Sequence, residues 1–282
     1  NQDHIFYLFN AKIPIRNPDY NFQKTVPGNT SKTYWDKYYG LQMLPQKYNP
    51  KSGYLYNTNN TPFHCTAQNE NPLEQAYCKG AGFDWNRTNN RDYRFNEIIS
   101  TKKKLSFADI KAIKYDCKYP TGKGGIYKSY QPIYALKESD YPDIADAITK
   151  LKKWDFSGYT TNKEAALVTF TFNYLFKKKE AAYNELEIGI NYTKEDLLEA
   201  IRYAKKTLLK HYKTIDIEFG QAQRLIREDK NYSVPGLPEC MMAMATEDNG
   251  KGILRAENGD SFVMFAKYSK TESSFECVVP YG

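Results

Sequence analysis

Leu44-Pro45-Gln46-Lys47-Tyr48-Asn49-Pro50-Lys51-Ser52-Gly53-Tyr54-Leu55-Tyr56-Asn57-Thr58-Asn59-Asn60-Thr61-Pro62 carries more information than any other part of this 282-residue chain. Taken by itself it is a turn, a short strand over Tyr54 to Tyr56, and an asparagine-rich loop. Asparagine serves turns because its short side chain bonds to nearby backbone and tolerates the left-handed conformation. The stretch ends a longer segment, residues 10–60, in which Pro14, Pro18, Pro27, Pro45 and Pro50 disfavour long helices and central strands. That segment is expected to be ordered loop. Loops of such length in a compact chain are uncommon and often functional, which singles out Asn57 to Pro62.

Upstream, Ile5-Phe6-Tyr7-Leu8-Phe9 has little polar alternation and predicts a strand covered on both faces. Downstream the pattern turns helical. Helices are predicted over 91–99, from Ser106 onward with a capping box in Ser106-Phe107-Ala108-Asp109, and over 141–154, 164–176 and 194–210. The last has acidic Glu195 and Asp196 in its first turn and Lys205, Lys206 and Lys210 toward its end, matching the helix dipole. Thr121-Gly122-Lys123-Gly124-Gly125 is glycine-rich but lacks the GxxxxGK[ST] spacing of a phosphate loop, and is expected to be a flexible turn. Beyond Tyr212 the chain becomes glycine-punctuated. Asn258-Gly259-Asp260 signals a turn before an apolar, β-favouring run over 261–268. The fold class expected from these elements is α+β, with a helical middle and strands near both ends.

Composition excludes several function classes. A hydrophobic fraction of 41% with 25 tyrosines and 15 phenylalanines indicates a folded chain rather than a disordered one. No apolar run approaches the roughly 18 residues of a membrane span. The formal charge of +7 is small beside 40 basic and 33 acidic residues. Its lysine runs, 102–104 and 177–179, are expected to be solvated, and no RNP-type pattern gathers the aromatics, so no nucleic-acid partner is expected. The five cysteines, Cys65, Cys78, Cys117, Cys240 and Cys277, form no CxxC element. Cys65 and Cys78 are the nearest pair in sequence and could be oxidised. His4, His64 and His211 stand apart from any nucleophile motif. No cofactor and no metal site are expected.

The turn Asn49-Pro50-Lys51-Ser52-Gly53, the short hydrophobic segment after it, and then Asn57-Thr58-Asn59-Asn60-Thr61-Pro62 resemble the segment that carries the oxyanion-hole asparagine in the penicillin acylase family of N-terminal nucleophile hydrolases. The best match to that asparagine is Asn59. Other pieces follow in the family's order. Ile13-Pro14-Ile15-Arg16 and Val26-Pro27-Gly28 are similar to the approach to the site. Asn90-Arg91-Asp92-Tyr93-Arg94 opens a helix where the family carries an active-site arginine; Arg91 is the preferred match and Arg94 the reserve. Leu151-Lys152-Lys153-Trp154-Asp155 resembles an L-x-x-W-D element, and Glu218-Phe219-Gly220 a tryptophan-glycine element with phenylalanine in place of tryptophan. Gly259 to Phe262 and Val279 to Gly282 resemble the terminal strands. Together the pieces cover nearly the whole chain, residues 1–282, as one domain.

The resemblance implies the C-terminal part of an acylase large subunit with a partial αββα fold, completed by an upstream segment and a smaller subunit. It further implies hydrolysis of a small-molecule amide through an acyl-enzyme and, by family habit, a periplasmic or secreted location. The nucleophile would be a serine at a processed N-terminus upstream of Asn1. Internal Ser31 and Ser52 would not take that role, and the chain alone would be inactive. Asn59 would stabilise the oxyanion and Arg91 would orient neighbouring groups. Glu70 lies where some family members bind calcium, but one carboxylate falls far short of the six to eight oxygens calcium takes, so no metal is assigned. Substrate-binding residues are not identifiable. The alternative is a non-catalytic ligand-binding module that has kept the acylase fold.

Overall fold

The computed structural model describes residues 4–77 and 88–279. Contacts divide the chain into two compact units, Asn1–Thr88 and Asn89–Gly282.

The first unit is mostly loop, as its prolines require. Strands β1 (Phe6–Leu8) and β2 (Gln46–Tyr48) pair antiparallel with Tyr7 opposite Lys47. The expectation of a strand covered on both faces fails here: β1 belongs to a two-stranded ribbon, and Phe6 is 53% exposed. Nor does a strand form over 54–56. Tyr56 donates its N–H to the Cys65 carbonyl at 2.9 Å, but residues 54–56 join no strand. Ile13, Leu44 and Phe63 form a small buried cluster with Leu8, Phe9 and Tyr39 packed around it.

The second unit holds the large core. Its helices are α1 (Asn90–Ser100), α2 (Phe107–Lys114), α3 (Gly124–Tyr134), α4 (Ala145–Leu151), α5 (Ala165–Lys178), α6 (Glu185–Ile188), α7 (Lys194–Tyr212) and α8 (Phe219–Ala222). Helix α5 is buried at every position from Ala165 to Thr171, as befits a helix apolar around most of its circumference. Its two buried threonines donate to the carbonyls one turn back, Thr169 to Ala165 and Thr171 to Leu167, so neither hydroxyl is left unsatisfied. Helix α7 buries Leu197, Ala200, Ile201, Ala204 and Leu208, the three- and four-residue spacing of a single stripe, and packs that stripe on α5.

Caps fix where these helices begin. Asn89 accepts the N–H of Asp92 at α1, and reciprocal capping boxes, Ser106 with Asp109 and Thr193 with Asp196, open α2 and α7. Helix α3 departs from expectation. The glycine-rich stretch leads into an eleven-residue helix instead of remaining a flexible turn. Gly124 takes φ +85°, and a Cβ on Gly125 would lie 2.4 Å from the Glu187 backbone, so these glycines let α3 start and press against α6.

Strands β3 (Gln223–Arg227), β4 (Lys230–Ser233), β5 (Met244–Asp248) and β6 (Leu254–Gly259) form one sheet in the order β4-β3-β6-β5, and β7 (Val263–Tyr268) pairs with β8 (Ser273–Val278) in a separate ribbon. The β3–β6 pair is parallel and the others antiparallel. The fold class is therefore α+β, as expected. No helix among the described residues is long and apolar enough to cross a membrane.

Candidate functional site

Asn59 stands exposed at the tip of a loop whose flanks are buried: Thr58 is 7% exposed, Asn60 6% and Thr61 1%. Asparagine side chains do most of the holding. The Asn59 N–H donates to Asn57 Oδ1 at 2.9 Å, while the Thr58 N–H and hydroxyl both donate to Asn60 Oδ1, at 2.8 and 2.9 Å. The Asn60 amide in turn donates to the carbonyls of Thr61 and His64. Asn59 takes φ +64°, a left-handed conformation that costs most L-residues about 1–2 kcal/mol and asparagine less. The left-handed backbone at this position thus favours asparagine over most other L-residues.

Behind the tip, Asn71 Oδ1 accepts the N–H groups of Cys65 and Thr66 at 2.8 and 3.0 Å. Thr66 donates to the Tyr54 carbonyl at 2.8 Å. The Glu70 carboxylate spans the Asn-Pro-Lys-Ser-Gly turn, accepting the N–H of Lys51 at 2.7 Å and of Ser52 at 2.8 Å. Hydrogen bonds from Ser52, side chain before backbone, hold the Glu70 carboxyl below its usual range. Here Glu70 acts as a turn clamp. No group of three or more metal-ligating side chains occurs among the described residues.

Arg91 and Arg94, one turn apart on α1, have different partners. Arg94 grips Asp116 through two bonds, Nε to Oδ1 at 3.0 Å and Nη2 to Oδ2 at 2.7 Å, and reaches Glu97 at 3.2 Å. That bidentate pairing raises its already high pKa and ties α1 to the segment after α2. Arg91 instead pairs with Glu239 at 3.3 Å. Glu239 is 1% exposed, accepts a hydrogen bond from the Tyr183 hydroxyl at 2.6 Å and sits at φ +60°. Its Oε2 has no partner among the described residues. Asn59 lies in the first unit and Arg91 in the second. Cys78 and the terminal residues 280–282 fall outside the described residues.

Sequence reasoning missed Glu239. A lone glutamate between a proline and a cysteine carries no motif; only a buried carboxylate in a left-handed conformation would have marked it. Two motif elements prove to be structural. Leu151 and Trp154 are core residues, and Asp155 Oδ1 collects the Ser157 N–H, the Ser157 hydroxyl and the Asn162 amide at 3.0, 2.7 and 2.9 Å. Phe219 is fully buried, and a Cβ on Gly220 would come within 2.1 Å of the Ser233 hydroxyl.

Cysteine chemistry is disfavoured at the buried thiols. Burial raises Cys65 to about 11 and Cys117 to about 12, and pushes Cys240 up as well. Only the thiolate is a competent nucleophile.

Comparison with known proteins agrees with this architecture. The thermostable penicillin G acylase from Alcaligenes faecalis has a similar structure, with a TM-score of 0.54 at 14% identity, covering 99% of this chain and 57% of that one. The chain therefore spans a little over half the length of that acylase, and at this identity the likeness speaks for the fold alone. No curated protein matches the chain. The family model described as penicillin amidase matches residues 1–282 from end to end, and the chain belongs to that family.

Proposed function

We propose that these residues form the C-terminal portion of the large subunit of an amide-hydrolysing acylase, with Asn59 as its oxyanion-hole donor. One observation carries the assignment: Asn59 is an exposed residue whose backbone is held at a left-handed tip by buried, hydrogen-bonded neighbours, within a chain matched by the family over its whole length. Such preorganisation is what an oxyanion donor needs, because a donor already aimed need not reorganise as charge develops.

The nucleophile is a serine hydroxyl at a processed N-terminus outside these residues. Its α-amine takes the hydroxyl proton as oxygen attacks the amide carbon. The carbonyl oxygen becomes an oxyanion and accepts the Asn59 Nδ2–H. Collapse breaks the C–N bond, the amine leaves with the proton, and water then releases the carboxylic acid. Arg91, the preferred site arginine, contributes a positive charge that favours the unprotonated amine. The upstream segment and a smaller subunit complete an αββα sandwich, and the protein works in the periplasm or outside the cell. The substrates are small-molecule amides.

Intact mass and N-terminal sequencing of the natural protein, combined with acid release from a panel of linear amides, test this reading. A processed chain that begins in serine, contains these residues and liberates a carboxylic acid is expected. A natural chain without such a serine, inert toward every amide, would overturn it.

A further inference from the structure

The second unit contains an apolar cavity of about 160 Å³, lined by Ile126, Tyr130, Trp154, Val168 and Phe172 from the helical side and by Ala245 and Thr246 from β5. Its construction is unusual for a packed core. Consecutive residues of a regular strand point to opposite faces, yet Ala245 and Thr246 both line this cavity. The register of β5 against β6 shifts between those two residues. A bulge of this kind re-aims side chains and is over-represented beside binding sites.

The lining defines the occupant. Among the described residues no lysine, arginine, histidine, aspartate or glutamate lines the cavity, so a charged ligand would lose its hydration without gaining a counter-charge. An apolar cavity of roughly 150 Å³ stays dry and takes up benzene, which sets the size at one ring. A polar group is called for at one place. The Thr246 hydroxyl is buried and has no hydrogen-bond partner among the described residues. The Asn173 amide beside it is turned to the Thr246 carbonyl at 3.1 Å. Asn173, Phe176 and Thr246 also line an adjoining polar cleft with Lys177, Tyr203 and Asp248, so this edge of the cavity is where a polar substituent meets water.

We propose that this cavity is a binding site for a neutral, single-ring aromatic molecule bearing one hydroxyl group, with its ring against the apolar lining that includes Trp154 and Phe172 and its hydroxyl on Thr246. The site is built wholly from the second unit and does not depend on the oxyanion assignment of Asn59.

Calorimetric titration of the full protein with benzyl alcohol, toluene and benzoate tests it, comparing wild type with Ala245→Leu and Thr246→Val. Benzyl alcohol is expected to bind wild type and to lose at least about tenfold in affinity when Ala245→Leu fills the cavity. Thr246→Val is expected to weaken benzyl alcohol about fivefold, the worth of one net hydrogen bond, and to leave toluene unchanged. Benzoate should show no binding that Ala245→Leu abolishes. Should Ala245→Leu fail to fold, a wild-type crystal soaked in benzyl alcohol must show the ring inside the cavity, in contact with its aromatic lining. Absence of binding by every probe would mean that another part of the protein fills the cavity. Affinity unchanged in Ala245→Leu would place the probe elsewhere. Either result, or a soaked crystal with no ring there, overturns the proposal.

Discussion

At the scale of single residues, the left-handed tip decides how Asn59 should be tested. Alanine would remove the amide and also strain the backbone, whereas glycine accepts φ +64° without a steric penalty. Asn59→Gly in the complete enzyme should therefore lower kcat by about 10²–10³-fold, the usual loss of one oxyanion donor, with thermal stability nearly unchanged. Steady-state kinetics beside a melting curve reads both, and wild-type turnover would remove Asn59 from the mechanism. Arg91 calls for the opposite design, because it also neutralises a buried carboxylate. Removing one partner of a buried pair costs about 3–5 kcal/mol, while replacing both by apolar groups is often nearly neutral. Arg91→Met alone should thus destabilise the protein more than Arg91→Met combined with Glu239→Leu, as measured by urea unfolding. Lost activity without that pattern of stability would mean that the Glu239 contact is incidental. These two residues also mark what the sequence revealed. The turn around Asn59 was legible because its bonds reach only two residues along the chain. Glu239 was not, because its partner Arg91 lies 148 positions distant.

At the scale of elements, legibility follows the range of the interactions that define each one. Helices α2 and α7 begin where their capping boxes place them, since a cap is local chemistry written within four residues. Helix α3 escaped notice because it starts at two glycines and contains Pro132, residues of low helix propensity. Packing of Gly125 against α6 overrides that propensity. The segment over 54–56 failed the other way: its residues favour strand, but among the described residues no neighbouring strand pairs with it. Helix α7 yields a pH prediction. Asp196 is held well below the usual carboxylate range by the Thr193 N–H first, then by Lys178 and Lys179. Its native pKa lies below the unfolded value of about 3.9, so its contribution to stability is complete above that pH and is lost as pH falls toward the native pKa. Asp196→Asn should therefore melt below wild type at pH 7, with the gap closing below pH of about 4. A gap as wide at pH 2 as at pH 7 would show that the charge is not what matters. Thr193→Ala, which removes the cap hydroxyl, should cost about 0.5–2 kcal/mol at neutral pH.

At the scale of the whole molecule, the β7–β8 ribbon bears on what surrounds this chain. Strand β7 alternates cleanly at its start, burying Val263 and Phe265 against the second unit while Met264 faces outward. Beside Met264, which is 53% exposed, stand Phe262 and Phe275, each more than half exposed. Contiguous apolar surface on a strand pair marks an interaction face, and pairing or covering is how sheets manage such an edge. The alternation explains why the segment was readable as a strand yet not as an interior one: period two identifies the buried face but says nothing of what covers the other. If the rest of an acylase encloses these residues, the ribbon is where enclosure should register. Met264 is its natural reporter, because thioether oxidation by dilute peroxide tracks solvent access. Peptide mapping should find Met264 oxidised at least several-fold more slowly in the complete protein than in the separated 282-residue chain. The exposed Met43 in the first unit serves as a second reporter for that unit. Equal rates at Met264 would mean that the ribbon faces solvent in the complete protein, and the strands and subunit proposed to complete the fold would then have to dock on other surfaces.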